Sequence, residues 1–159
     1  MKRSIPGLLF LLFVFGCASP SKESGMKLSR FDLVTLSGEA IDMSQYEGKT
    51  VFINVWATWC KPCVQEMPTI ALAMEKLKDR QVVFLFASNE DVEDIAGFRD
   101  NRKFPFDYVR LKNLEALPID ALPATFIFDP QGKLIYGEEG FRDWSTAENL
   151  LLITPTAQP

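Results

Sequence analysis

The chain has 159 residues and a formal net charge of −4, with 47% hydrophobic and 24% charged residues, three cysteines and no histidine. That length and apolar content suit one domain with its own core and exclude a disordered chain, a collagen or a repeat array. The missing histidine removes Ser-His-Asp hydrolysis, Cys-His proteolysis and His-ligated zinc, and the acidic balance leaves no basic stripe for nucleic acid.

Lys2 and Arg3 precede an apolar run from Leu8 to Phe15, followed by Gly16, Cys17, Ala18 and Ser19. A cationic start, a short apolar stretch and small residues read as a secretory signal peptide over residues 1–16. The run is too short to span a bilayer, which takes about 20 residues. Val14-Phe15-Gly16-Cys17 resembles a bacterial lipobox, which makes Cys17 the expected lipidation site and new N-terminus. Cleavage there removes two cations and no acid, moving the formal charge from −4 to −6. Residues 17–27 are small and polar and read as a tether. A folded domain is expected over 28–153 and a frayed tail over 154–159.

Phe31, Leu33 and Leu36, a Ser37-Gly38 turn, then Ile41 and Met43 predict an N-terminal hairpin. Thr50 to Ala57 (TVFINVWA) and Gln81 to Ala87 (QVVFLFA) are apolar runs of the kind buried on both faces of a parallel sheet. A helix is predicted from about Cys60 to Lys78, with Val64, Met67, Ile70, Leu72, Met74 and Leu77 inward and a kink at Pro68. Asn89 is the expected cap of the next helix, with Val92, Ile95 and Phe98 in its core face. A strand over 106–111, a short helix over 113–117, a hairpin of 125–128 with 133–137, and a terminal helix over 145–153 follow. Strand–helix–strand order closed by a hairpin and helix predicts a three-layer α/β domain.

The chemistry concentrates at Trp59-Cys60-Lys61-Pro62-Cys63. A structural zinc site needs four ligands, and neither a second cysteine pair nor a histidine exists to complete one. A static disulfide closing so short a loop restrains the unfolded chain little. Redox cycling suits the spacing: the first cysteine lies at a helix start, where unpaired N–H groups and the dipole favour thiolate, and the second sits about one turn on.

The chain resembles thioredoxin-like proteins, specifically the redoxin-related, membrane-anchored thiol–disulfide oxidoreductases of the TlpA/ResA type. Tyr46-Glu47-Gly48-Lys49, Phe52 to Cys63 (FINVWATWCKPC), Glu66-Met67-Pro68, Leu122 to Asp129 (LPATFIFD) and Gly132-Lys133 carry the resemblance over about residues 31–153. It implies a redox-active Cys60–Cys63 disulfide with Cys60 nucleophilic and Cys63 buried and resolving. It also implies a cis peptide before Pro123, a central insertion over 89–111, and substrate contacts from Trp59, Pro62, Pro123 and Ala124. Asn54 occupies the place of a buried acid in many thioredoxins, so a proton-transfer role there is absent or moved. Glu66, three residues after Cys63, matches a carboxylate position of the ResA group, where it would exchange protons with the buried thiol; the alternative is simple support of the first helical turn.

The implied partners are disulfide-containing exported proteins, apocytochrome c among them, a membrane or periplasmic electron donor, and a membrane reached through the lipid. The protein is expected to face the periplasm or cell exterior as a monomer, with no cofactor and no metal. Two other readings are a redoxin-type thiol peroxidase, for which no PxxxTxxC arrangement precedes Cys60, and a Cu(I) chaperone, whose relatives use wider cysteine spacing and a histidine.

Overall fold

The computed structural model describes residues 26–154. The expected leader, Cys17 and the last five residues lie outside that range.

Two uninterrupted apolar runs become the centre of the sheet: β2 (Thr50–Val55) and β3 (Val82–Ser88) pair in parallel, with Phe52 beside Phe84 and Asn54 beside Phe86. Alternation sends Val51, Ile53 and Val55 to one face, and Phe52, Asn54 and Trp56 to the other. β4 (Asp107–Leu111) extends the sheet in parallel beyond β3. The antiparallel strands β5 (Ala124–Phe128) and β6 (Leu134–Glu139) extend it beyond β2, and β1 (Leu33–Thr35) pairs antiparallel with β4. The resulting order is β1-β4-β3-β2-β5-β6.

Helices α1 (Lys61–Lys76), α2 (Val92–Arg102) and α3 (Ala147–Ile153) all contribute to one cluster, through Ile70, Ile95 and Ile153 packed with Phe52, Trp56, Phe86 and Trp144. Two consecutive parallel crossovers running in the same direction across the sheet, each right-handed, put their helices on the same face. The third layer of the expected sandwich is therefore made of irregular segments: Met26, Leu28, Phe31, Ile41 and Met43, together with Leu114 and Leu117, cover Val51, Ile53, Val55 and Phe128.

Several details differ from expectation. The Ser37-Gly38 turn forms, with Gly38 at φ 90°, but the second arm makes a single bridge, Val34 to Ala40. It then enters a 3-10 turn over Met43–Tyr46, which Asp42 caps by accepting from the Ser44 N–H. Met26 and Lys27, expected in the tether, pack onto the domain: Met26 is buried and Lys27 bridges Lys133. Leu72 points outward at 55% exposure, and Ala73 takes its inward place. α2 begins with Asp91, not Asn89, at its N-cap position, and the Asp91 side chain makes no capping bond. No helix among the described residues is long and apolar enough to cross a membrane.

Candidate active site

β2 runs out at Val55, and its continuation carries the chain to the first turn of α1. Trp56 still bonds the Ala87 carbonyl through its N–H, and Cys60 closes a turn onto Ala57. Cys60 is the N-cap of α1, its Sγ accepting from the Cys63 N–H at 3.3 Å, and Pro62 occupies the first turn, where a missing donor costs nothing. Cys60 and Cys63 are joined as a disulfide. Cys60 retains 4% exposure and Cys63 none, so a partner reaches the pair through Cys60.

The neighbours divide cleanly. Trp59 stands 72% exposed beside Cys60, with Lys61 and Pro62 also at the surface. Trp56 is fully buried against Phe98 and Tyr108 and takes no part in a docking surface. The Leu122-Pro123 peptide is cis. Because Ala124 pairs with Val55, Pro123 lies at the same end of the sheet as the Trp56–Cys60 segment. Ala124 is itself buried between Val55 and Glu139 in adjacent strands, so an extended partner would pair with the chain before Pro123 rather than with Ala124.

Glu66 is fully buried on the face of α1 that carries Cys63, one turn away. The Trp144 indole N–H donates to its Oε1, and Asn54 Nδ2 donates to Oε2 at 3.4 Å and to Thr125 Oγ1 at 3.1 Å. Burial raises the carboxyl from 4.5 to about 7; the bonds from Trp144, Asn54 and the Arg142 backbone, and the charge of Arg142, oppose the rise without cancelling it. Asn54 cannot titrate, but it holds a group that does. The buried acid is thus supplied by α1 instead of β2.

Thr69 ties this arrangement together. Its hydroxyl donates to the Glu66 carbonyl at 2.8 Å and accepts from the Trp144 backbone N–H at 3.0 Å. Trp144 lies 78 positions from Glu66, in a segment with no motif, so no sequence signal pointed to it.

Glu90 is the second residue without a sequence signal. Its carboxylate accepts from the Thr58 N–H at 2.7 Å, the Thr58 hydroxyl at 2.6 Å and the Ser88 hydroxyl at 3.0 Å. It straps the end of β3 to the loop two residues before Cys60. Glu90→Ala leaves the two Thr58 donors unmatched and is expected to cost about 2 kcal/mol in urea unfolding. Glu90→Gln keeps an acceptor and should cost less; an unchanged urea midpoint in Glu90→Ala would show that the strap contributes nothing.

Residues 24–137 match the AhpC/TSA family. The chain is 34% identical to the thiol-disulfide oxidoreductase ResA of Bacillus thuringiensis subsp. konkukian, across 84% of this chain and 80% of that protein. The chain belongs to the AhpC/TSA family, among its ResA-type thiol–disulfide oxidoreductases.

A second relative, the thioredoxin-like protein YneN of Bacillus subtilis, is 35% identical over 83% of this chain and 86% of its own length. In fold, the chain is similar to the crystal structure of a putative thiol-disulfide oxidoreductase from Bacteroides vulgatus, with a TM-score of 0.68 at 23% identity over 79% of this chain and 90% of that one. The chain is thus a thiol–disulfide oxidoreductase of this family, with Cys60 and Cys63 joined as a disulfide. Among the described residues, no group of three or more acidic or cysteine side chains is placed to hold a metal ion.

Proposed function

We propose that the protein reduces disulfides in exported proteins, with apocytochrome c as one client class, Cys60 attacking and Cys63 resolving. The observation that carries this is the asymmetry of the pair: Cys60 at the helix N-cap with slight exposure, Cys63 sealed beneath it. In the reduced state the Cys60 sulfur faces the Cys63 N–H and the positive end of α1, which favours thiolate. That thiolate attacks one sulfur of the client disulfide, and the other client sulfur leaves as thiolate. Glu66 then takes the proton of Cys63, whose thiolate attacks the Cys60 sulfur of the mixed disulfide and frees the second client thiol. An electron donor at the membrane or in the periplasm restores the dithiol.

The client's cysteine-bearing segment would lie extended between exposed Trp59 and Pro62 on one side and the cis-Pro123 loop on the other. Export by the leader and lipid attachment at Cys17 would hold a monomer at the cell envelope, facing the periplasm or cell exterior. Two acyl chains give stable anchoring where one does not.

Full-length Cys63→Ser, expressed in cells, is expected to accumulate mixed disulfides through Cys60, recovered in the membrane fraction and released by dithiothreitol. Absence of any protein attached at Cys60 would overturn the reductase reading, and recovery in the soluble fraction would overturn the lipid anchor.

A further inference from the structure

Apart from the Arg142 backbone, which also favours the charged form, the two oxygens of Glu66 face different side chains. Oε1 receives the indole N–H of Trp144, a group that donates and never accepts. The direction of that N–H is fixed. Trp144 is fully buried, set edge-on against Phe52 at 4.9 Å and Tyr136 at 5.5 Å, and its backbone is held by Thr69. A proton on Oε1 would collide with a donor that has nowhere to turn.

Oε2 faces Asn54, and that contact is the loose one, at 3.4 Å. The Asn54 Oδ1 is buried and without a partner, while Nδ2 serves both Glu66 and Thr125. A primary amide offers a donor at one end and an acceptor at the other, and half a turn about its last bond exchanges them. One end faces no partner in either orientation, so the atom opposite Oε2 decides between them. Against a carboxylate the NH2 group is preferred. Against a carboxylic acid the carbonyl is preferred, and the Thr125 hydroxyl then donates to it as well.

Resting on the reading of Glu66 as the proton partner of Cys63, we propose that Trp144 confines the proton of Glu66 to Oε2 and that the Asn54 amide turns over to receive it. Both are positioning residues. The proton that leaves the Cys63 thiol arrives on Oε2 and is held by Asn54 Oδ1; when it departs, Nδ2 returns and donates to the carboxylate. The charged group acting on this carboxyl is Arg142, whose guanidinium is itself engaged by Glu138 and Asn149; Cys63 does not titrate while oxidised, and Thr125, Thr69 and Trp144 carry no charge. With burial placing the carboxyl near neutrality, both states are populated under ordinary conditions.

The test is NMR of the oxidised full-length protein, following the Glu66 carboxyl carbon and the Asn54 side-chain amide from about pH 5 to about pH 9, a range that brackets both the ordinary and the raised carboxyl. The two signals are expected to titrate with one midpoint, and contacts from the amide protons to the Thr125 side chain to be present above it and lost below it. Glu66→Gln should flatten the Asn54 response. Trp144→Phe removes a bond to the charged form and should raise the midpoint by about one pH unit, a tenfold change in proton affinity. If the Glu66 carbon titrates while the amide–Thr125 contacts persist at every pH, the inference is overturned and the reading of Glu66 stands. A Glu66 carbon with no titration in this range overturns both. An unmoved midpoint in Trp144→Phe overturns the role of Trp144.

Discussion

Cys60→Ser is expected to lower catalysed reduction of a protein disulfide by dithiothreitol at least about a thousandfold, to the rate of the buffer control, while leaving the fold intact. The two halves of this expectation come from one position. As a nucleophile, a serine hydroxyl beside a helix start stays protonated at neutral pH, and the chain has no histidine to activate it. As an N-cap, serine is among the best residues available, and its oxygen accepts the Cys63 N–H that Cys60 Sγ accepts now. Lost turnover with an unchanged urea midpoint of the reduced proteins would therefore separate chemistry from folding. Retained turnover would mean that Cys63 or another group attacks the client, and the assignment of roles within the pair would fail.

What could be read from the residues follows from how local the cause is. The strand–CxxC–helix unit was legible because each part is contiguous: an apolar run, a cap, a proline in the first turn, a 3.6-residue apolar period. The Leu122-Pro123 cis bond was legible only through the family resemblance, and the β5–β6 hairpin through its own turn residues. Which face the helices cover was not legible, because handedness and strand order, not any residue, decide it. The rudimentary hairpin has a similar origin: β1 finds its main partner in β4, more than seventy positions on, and a local turn cannot show that. Glu66 was legible as a candidate because its place after Cys63 matches a carboxylate position of the ResA group. Its partner Trp144 was not, since it reaches the carboxyl from a distant segment in no pattern that distinguishes a carboxyl ligand from an ordinary core residue, and Thr125 acts only through Asn54. Glu90 was not legible either, since its carboxylate turns back to Thr58, 32 positions earlier in the chain, and no local pattern announces that contact.

The buried carboxyl has a consequence for stability whose sign is opposite to that of most acids. Unfolded, Glu66 returns to its ordinary value of 4.5; folded, it lies at about 7, so between those values the native state holds the proton that the unfolded state has released. Stability from this group is therefore full below about pH 4.5 and declines as pH rises through about 7, by on the order of 3 kcal/mol across the window. That is a sizeable fraction of the 5–15 kcal/mol that holds a typical domain together. Glu66→Gln tests it directly, because glutamine has the shape of the neutral acid, still accepts the Trp144 N–H and does not titrate. In urea unfolding of the oxidised proteins, the stability of wild type relative to the glutamine variant is expected to fall as the buffer is moved from about pH 5 to about pH 8. A difference that stays flat would show a carboxyl that is solvated or charged throughout, and the proton partner of Cys63 would have to be sought elsewhere. A falling difference has a functional meaning beyond the number. The protein keeps an ionisable group where an amide would be more stable at neutral pH, one helical turn from a thiol that must lose its proton to act. Protonated and ionised forms of Glu66 then lie within a small free-energy difference at that pH, the condition under which a carboxyl can accept a proton from Cys63 and release it again within one catalytic cycle.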